Sequence, residues 1–219
     1  MKKAKKVVAL ALCAVMLVVG SVAGTLAYLQ DTAEVTNTFT VGKVDIKLDE
    51  TKVDTAGKTT NEGRIESGNT YKLMPGHTYT KDPMVTVLPN SEESFIRMIV
   101  TINDLADLKA ACNVTGAFYP QNFVTGWDST KWACVSMNET NDNKGIYEFR
   151  YYKTVSTGTD AQPLEALFTG FTMPGTATNA QIAALEGMKI DVVAQAIQKD
   201  TFADANAAWA AFQAPVVNN

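Results

Sequence analysis

Residues able to perform hydrolytic chemistry are scarce in this chain. It has one histidine, His77, among 219 residues, whereas hydrolytic zinc sites usually combine several histidines or a tight carboxylate cluster with an open coordination position. His77 lies in the turn at 75–77, where we expect an exposed or capping role. The sequence contains no HExxH helix and no GxSxG elbow, and a Ser-His-Asp set would have to use His77. The pattern therefore singles out no catalytic, cofactor-binding or metal-binding residue, and a non-enzymatic role is favoured.

Carboxylates are common, but their spacing selects no pair. Residues 141–143, with the sequence Asn-Asp-Asn, carry the oxygen atoms that calcium prefers, yet the spacing of an EF-hand is absent. A pair of acids for glycoside hydrolysis is defined by its separation in space, which a sequence does not give. A structural metal at 141–143 is left as the alternative to a plain polar loop.

Residues 1–27 have the pattern of a secretory signal peptide. Four basic residues precede an uncharged apolar stretch at 7–19, namely Lys2, Lys3, Lys5 and Lys6. Small residues follow, and we predict cleavage after Ala27, which makes Tyr28 the first residue of the mature chain. The alternative is an uncleaved anchor, since residues 7–27 have about the length of a membrane-spanning helix. We expect contact with a membrane only through an uncleaved leader.

The charge that remains after cleavage argues against nucleic-acid binding. Removing those four lysines from the 19 Lys and Arg residues leaves 15, against 23 Asp and Glu residues, which gives a net charge of −8. An acidic surface repels phosphate backbones and anionic lipid. We therefore expect a secreted protein of the extracellular matrix or cell surface with no nucleic-acid partner.

The mature chain keeps two cysteines, Cys112 and Cys134. In an oxidising compartment a disulfide between them would stabilise the fold by roughly 3 kcal/mol in the chain-entropy model. We predict this bridge, with two buried free thiols as the alternative.

Residues 28–219 have the pattern of a single mainly β domain, an antiparallel jelly-roll-like β-sandwich with a few short inserted helices. Short β-branched or alternating runs predict strands at 36–49, 84–87, 94–102, 117–124, 131–137, 145–155, 164–173 and 188–198. In the first of these the alternation changes parity at Gly42 and Lys43, which indicates a bulge.

Helix and loop signals separate these strands. Short helices are predicted at 104–111 with Asn103 as the cap, after the capping box of Thr178 and Gln181, and at 203–213. Residues 50–69 are polar and rich in Thr and Gly, and they predict an exposed, mobile loop.

The junction between leader and domain resembles the start of TasA and camelysin-like proteins of Gram-positive bacteria, which are exported through a SipW-type signal peptidase. The family has a Thr-x-Ala-like cleavage site, an aromatic-containing segment and then a strand with a central glycine. The residues that fit this pattern are Tyr28, Asp31, Asn37, Phe39, Gly42, Val44 and Ile46. The stretches 74–102 and 190–198 also look like this family.

This resemblance implies a biofilm matrix protein with a jelly-roll fold that assembles into fibres by donor-strand exchange. Residues 28–40 would be the donated strand, and a neighbour's open sheet edge would accept it. The self-assembly residues that we predict are Tyr28, Asp31, Asn37, Phe39 and Val41. The partner would be a second copy of the chain, with other matrix proteins or polysaccharide as further partners. The alternative is that this segment pairs within its own domain.

Two other functions are kept as alternatives. Camelysin-like members are described as metal-dependent proteases, although this sequence offers no histidine-based zinc site to support that. A monomeric surface module is the other alternative, in which Trp127, Trp132 and Tyr119 stack on a sugar, with core packing as the favoured role of these aromatic residues.

Overall fold

Alternating and β-branched sequence runs build the sheets of this chain. The structure is a computed structural model, and it describes residues 42–212. The strands of this part are β1 (Ile46–Val53), β2 (Thr59–Ile65), β3 (Thr78–Thr80), β4 (Met84–Val87), β5 (Ser94–Ile102), β6 (Val124–Thr125), β7 (Trp132–Glu139), β8 (Gly145–Tyr151), β9 (Gln162–Pro163), β10 (Gly170–Thr172) and β11 (Ile190–Gln198). The helices are α1 (Leu105–Ala111), α2 (Asn179–Ala184) and α3 (Ala205–Ala211), and a 3-10 turn covers Pro120–Asn122.

These strands form three sheets, with the orders β2-β1-β4-β9, β3-β10-β6 and β11-β5-β8-β7. Each of their strand pairs is antiparallel. The predicted fold class, mainly antiparallel β with a few short helices, is confirmed, and the three sheets are consistent with a sandwich.

The buried side chains of the three sheets form one core. In β5 every second residue is buried, from Ser94 to Ile102, because successive side chains of a strand point to opposite faces. Met98 of β5, Val85 of β4 and Phe171 of β10 are all completely or almost completely buried in this core. Phe171 also stacks on Tyr79, with ring centroids 4.9 Å apart. The aromatic contact joins β10 to β3 inside the core.

The loop prediction for residues 50–69 is wrong. The first part of this segment completes β1, and residues 59–65 form β2, which pairs with the second half of β1. Asp54 makes the turn between them by accepting hydrogen bonds from the backbone N–H groups of Ala56 and Lys58, both at 2.9 Å. Gly57 in this turn has φ +79 and packs against Tyr79, so a side chain there would clash.

Four other local predictions differ from the structure. Of the predicted strand at 117–124, only Val124 belongs to a strand, and Pro120–Asn122 form the 3-10 turn. Residues 42–45 are not part of a strand, so the predicted bulge at Gly42 is not formed there, and β1 begins at Ile46. Helix α1 has Asp104 as its N-cap residue, at φ 53, instead of Asn103. Of the predicted strand at 164–173, only Gly170–Thr172 is a strand. The helices after Thr178 and near the end of the described chain, and the strand β11, are confirmed.

Predictions about the beginning of the chain fall outside the described residues. They concern the leader, the cleavage site at Ala27 and Tyr28, and the donor segment 28–40. The predicted self-assembly residues Tyr28, Asp31, Asn37, Phe39 and Val41 also lie there. Among residues 42–212, no helix combines the length and the apolar character needed to cross a bilayer.

Candidate assembly edge and a cleft beside Lys81

Strand β7 is an edge strand whose outer side is exposed. It pairs with β8 on one side, and no strand formed by residues 42–212 pairs with its other side. We call residues 133–138 the β7 edge. Val135 and Met137 in this edge are 48% and 46% exposed, which is high for large apolar side chains. Open main-chain groups next to apolar side chains are the features to which an added strand binds.

Side-chain hydrogen bonds occupy both ends of strand β7. At its start, the indole N–H of Trp127 donates to the carbonyl of Trp132 at 2.8 Å. At its end, the carboxylate of Glu139 accepts from the backbone N–H of Phe118 at 2.7 Å and from Lys109 Nζ at 2.8 Å. These hydrogen bonds, first the one from Lys109, lower the pKa of Glu139. The open part of the strand is therefore limited to the residues between them.

The bulge inside β7 falls at Val135. The register with β8 shifts between Cys134, which lies opposite Phe149, and Ser136, which lies opposite Glu148. Val135 is the extra residue, and such a bulge increases the local twist of an edge. The bulge therefore divides the β7 edge into two short stretches, one on each side of Val135.

Other edge strands in the described residues are less suitable for pairing. Strands β3, β6 and β9 are only two or three residues long. Strand β2 carries Glu62 and Arg64 and is interrupted by Gly63 at φ +79. Charged edge residues discourage strand addition. Strand β11 lies beside β1, with Cα atoms within 8 Å. Strand β7 is long, and its open part lacks charge and proline.

A network of charged side chains, centred on Arg64, joins β2 to β1 and to the residue after Lys81. Arg64 donates from Nε to Asp49 Oδ1 at 2.5 Å and from Nη1 to Asp82 Oδ2 at 2.7 Å. Its Nη2 donates to the backbone carbonyls of Asp49 and Asp82 at 3.0 and 2.8 Å. Burial lowers the pKa of Arg64, but the hydrogen bonds to Asp49 and Asp82 outweigh it, and the pKa is raised. Both carboxylates are occupied by this guanidinium.

A second ion pair, Lys81 with Glu50, is almost completely buried. Lys81 Nζ donates to Glu50 Oε2 at 2.7 Å, and the two side chains are 9% and 7% exposed. The other carboxylate oxygen of Glu50 accepts from Asn69 Nδ2 at 2.9 Å. The sequence analysis selected neither residue, because each is one of several neighbouring charges in a polar stretch, Glu50 beside Asp49 and Lys81 beside Asp82.

Lys81 also lines a cleft of about 710 Å³. One wall comes from the segment at 67–73 and the other from the stretch that connects α2 to β11. The apolar side chains that line it are Tyr71, Leu73, Phe171, Ile182, Leu185, Met188 and Ile190. We call this space the Lys81 cleft.

The sequence-selected candidates for chemistry do not meet in one site. His77 is exposed and lies beside Tyr79, with ring centroids 6.2 Å apart. Within the described range 42–212, no three His, Cys, Asp or Glu residues are grouped closely enough to hold a metal ion. In the loop at 141–143, Asp142 pairs with Lys144 Nζ at 2.5 Å, and this contact lowers its pKa to about 2.

The aromatic residues and the cysteines named in the sequence analysis differ in how far they are exposed. Trp132 is fully buried, so it cannot stack on a sugar, whereas Tyr119 is 44% exposed. The structure has Cys112 and Cys134 as free, partly buried thiols, and the disulfide stays a prediction. Burial raises the pKa of the Cys112 thiol to about 11.

Comparison with known proteins gives one match. Residues 1–57 match the family model described as camelysin metallo-endopeptidase. Neither the curated proteins nor the solved structures gave a match. The resemblance to the camelysin family is thereby confirmed over these residues, which end just after β1. The β7 edge and all residues that line the Lys81 cleft follow the matched stretch.

Proposed function

We propose that this camelysin-like chain is an exported structural protein of the cell surface or extracellular matrix, which polymerises by strand addition. The leader at 1–27 directs export and is removed. Residues 28–40 of one copy then lie along the β7 edge of the next copy. The observation that supports this most is the exposed, uncharged β7 edge with Val135 and Met137.

The donor segment 28–40 and the β7 edge both have the chemical features that strand addition requires. The main-chain groups of an added strand supply hydrogen bonds, and its alternate side chains determine the register. In the donor segment, Phe39 lies among residues of high β propensity, Thr38 and Thr40, and can cover Val135 or Met137. A donor at one end of the chain and an acceptor elsewhere make a head-to-tail contact, which does not close and so extends into a filament.

The acceptor is tested by electron microscopy of the chain that begins at Tyr28. Met137→Lys is expected to abolish filaments, because it places a charge and a flexible side chain on the β7 edge while the monomer stays folded. Thr59→Lys on β2 is the matched control, since Thr59 is also exposed on an edge strand. Filaments that persist in Met137→Lys, or that disappear equally in Thr59→Lys, would exclude the β7 edge as the acceptor.

The donor is tested by removing residues 28–40 and, more locally, by Phe39→Asp. Both changes are expected to leave a soluble monomer that forms no filaments. An unchanged filament yield after either change contradicts strand donation by this segment.

A peptidase assay addresses the activity named in the family description. Casein is incubated with the chain that begins at Tyr28, with and without a chelator. Hydrolysis that the chelator blocks would replace the structural proposal with a proteolytic one.

A further inference from the structure

We propose that the Lys81 cleft is a binding site for a small ligand in which an uncharged hydrogen-bond acceptor, a carbonyl or hydroxyl oxygen, is attached to an apolar body. This inference is independent of the filament proposal, because none of the cleft residues lies in β7.

The size and the walls of the cleft suit an organic molecule. A volume of about 710 Å³ lies within the range of roughly 300–1,000 Å³ that small-molecule sites have. Phe171 and Leu185 are fully buried at the cleft, whereas Tyr71, Ile182 and Met188 are only half-buried. An apolar occupant would remove these half-buried side chains from water, and this gives a favourable free energy of binding.

The ammonium group of Lys81 supplies the polar contact. It has three N–H donors, and Glu50 is its hydrogen-bond acceptor among residues 42–212. The side chain of Lys81 is only 9% exposed and lines the cleft, so an occupant of the cleft would displace the little water that reaches its remaining donors. A donor that is buried without an acceptor is unfavourable, and an oxygen atom of a ligand in the cleft would correct this.

Charge around Lys81 favours an acceptor without a full negative charge. Glu50 already balances the charge of Lys81 at 2.7 Å, and the nearby Asp49 and Asp82 are paired with two cations, Arg64 and Lys47. The other charged residues that line the cleft are Glu186, Lys189 and Asp191. Together with Lys81 and Glu50 they carry a formal charge of −1, so a carboxylate in the cleft would add an uncompensated anion. Burying an unpaired charge is far more unfavourable than burying a neutral carbonyl.

Three probes of similar shape test this chemistry: methyl naphthyl ketone, ethylnaphthalene and naphthoate. Probe fluorescence is followed while the protein, as the chain from Tyr28, is titrated. We expect saturable binding of the ketone, with affinity at least about tenfold higher than that of ethylnaphthalene, because a hydrogen bond to a charged donor has this effect. Naphthoate is expected to bind more weakly than the ketone.

Variants then locate the site. The double change Glu50→Gln with Lys81→Met removes both charges together, so no unpaired charge is buried, and it should reduce ketone affinity to that of ethylnaphthalene. Ile182→Asp in the wall should weaken both probes. Lys72→Met is the control, since Lys72 is exposed and does not line the cleft.

Circular dichroism and thermal unfolding verify that each variant is folded. The proposal is refuted if the ketone does not bind saturably. It is also refuted if the double variant keeps the preference for the ketone over ethylnaphthalene, or if Ile182→Asp, when folded, binds both probes normally.

Discussion

Replacing Lys81 with methionine is expected to destabilise the protein by about 3 kcal/mol. The change leaves the carboxylate of Glu50, whose side chain is 7% exposed, without its cationic partner. Breaking a buried ion pair by removing one partner costs about 3–5 kcal/mol. We expect the lower end of that range, because Asn69 still donates to Glu50 Oε1 at 2.9 Å. Adding Glu50→Gln should restore most of the loss.

Urea unfolding measures this, with the midpoint and the slope m fitted for each variant. The control is Lys199→Met, since Lys199 pairs with Glu93 at 3.0 Å but both side chains are about half exposed. Exposed pairs contribute little because water screens them, so we expect no measurable shift of the midpoint. If Lys81→Met shifts the midpoint no more than Lys199→Met does, the argument from burial is refuted.

Three further changes test other parts of the structure. Gly170→Ala should destabilise the protein by about 2 kcal/mol in thermal unfolding, because its Cβ would lie 2.4 Å from the carbonyl oxygen of Tyr79. In the reduced protein, alkylation of Cys112 by iodoacetamide should be slow at pH 8 and accelerate up to about pH 11, because burial raises its pKa to about 11. The contact of Glu139 with Lys109 lowers the pKa of Glu139, so it should stabilise the fold above the unfolded pKa and lose this effect as pH falls through the folded pKa. Unfolding measured from pH 7 to pH 3 should therefore show a smaller acid loss in Glu139→Gln.

Each of these changes has its own control and contrary result. Gly116→Ala places its Cβ in open space, and an equal effect of Gly116→Ala and Gly170→Ala would refute the clash. An alkylation rate that reaches its plateau near pH 9 would show that the thiol is not buried. Identical acid unfolding of Glu139→Gln and the unchanged chain would show that the contact is absent in solution.

The strands that could be predicted from the sequence are those whose own residues form an alternating or densely apolar, β-branched run. Strand β5, at 94–102, is recognisable because its β-branched, densely apolar run continues through the core. Strand β2 is different, since Thr59–Ile65 has almost no apolar side chain and contains a glycine. Its position is fixed by hydrogen bonds of Arg64 to Asp49 and Asp82, which are 15 and 18 positions away and which periodicity does not reveal.

The candidate sites were predicted only in part, for a related reason. Residues 131–137 were identified as β-prone, but their position at an open edge follows from the strand order, which local sequence does not contain. Lys81 and Glu50 are 31 positions apart, and they become a pair only when β1 and the end of β3 come together. Neither residue differs from a solvent-exposed charge when its neighbours in sequence alone are considered.

The guanidinium of Arg64 holds β2, the edge strand beside β1, to the rest of the fold. Four of its hydrogen bonds fix a strand that contributes little to the apolar core. With Arg64→Met, the amide protons of β2 should exchange with deuterium much faster while those of β5 keep their protection. Strand β2 would then detach from β1 by local unfolding, at a lower free energy than the rest of the molecule.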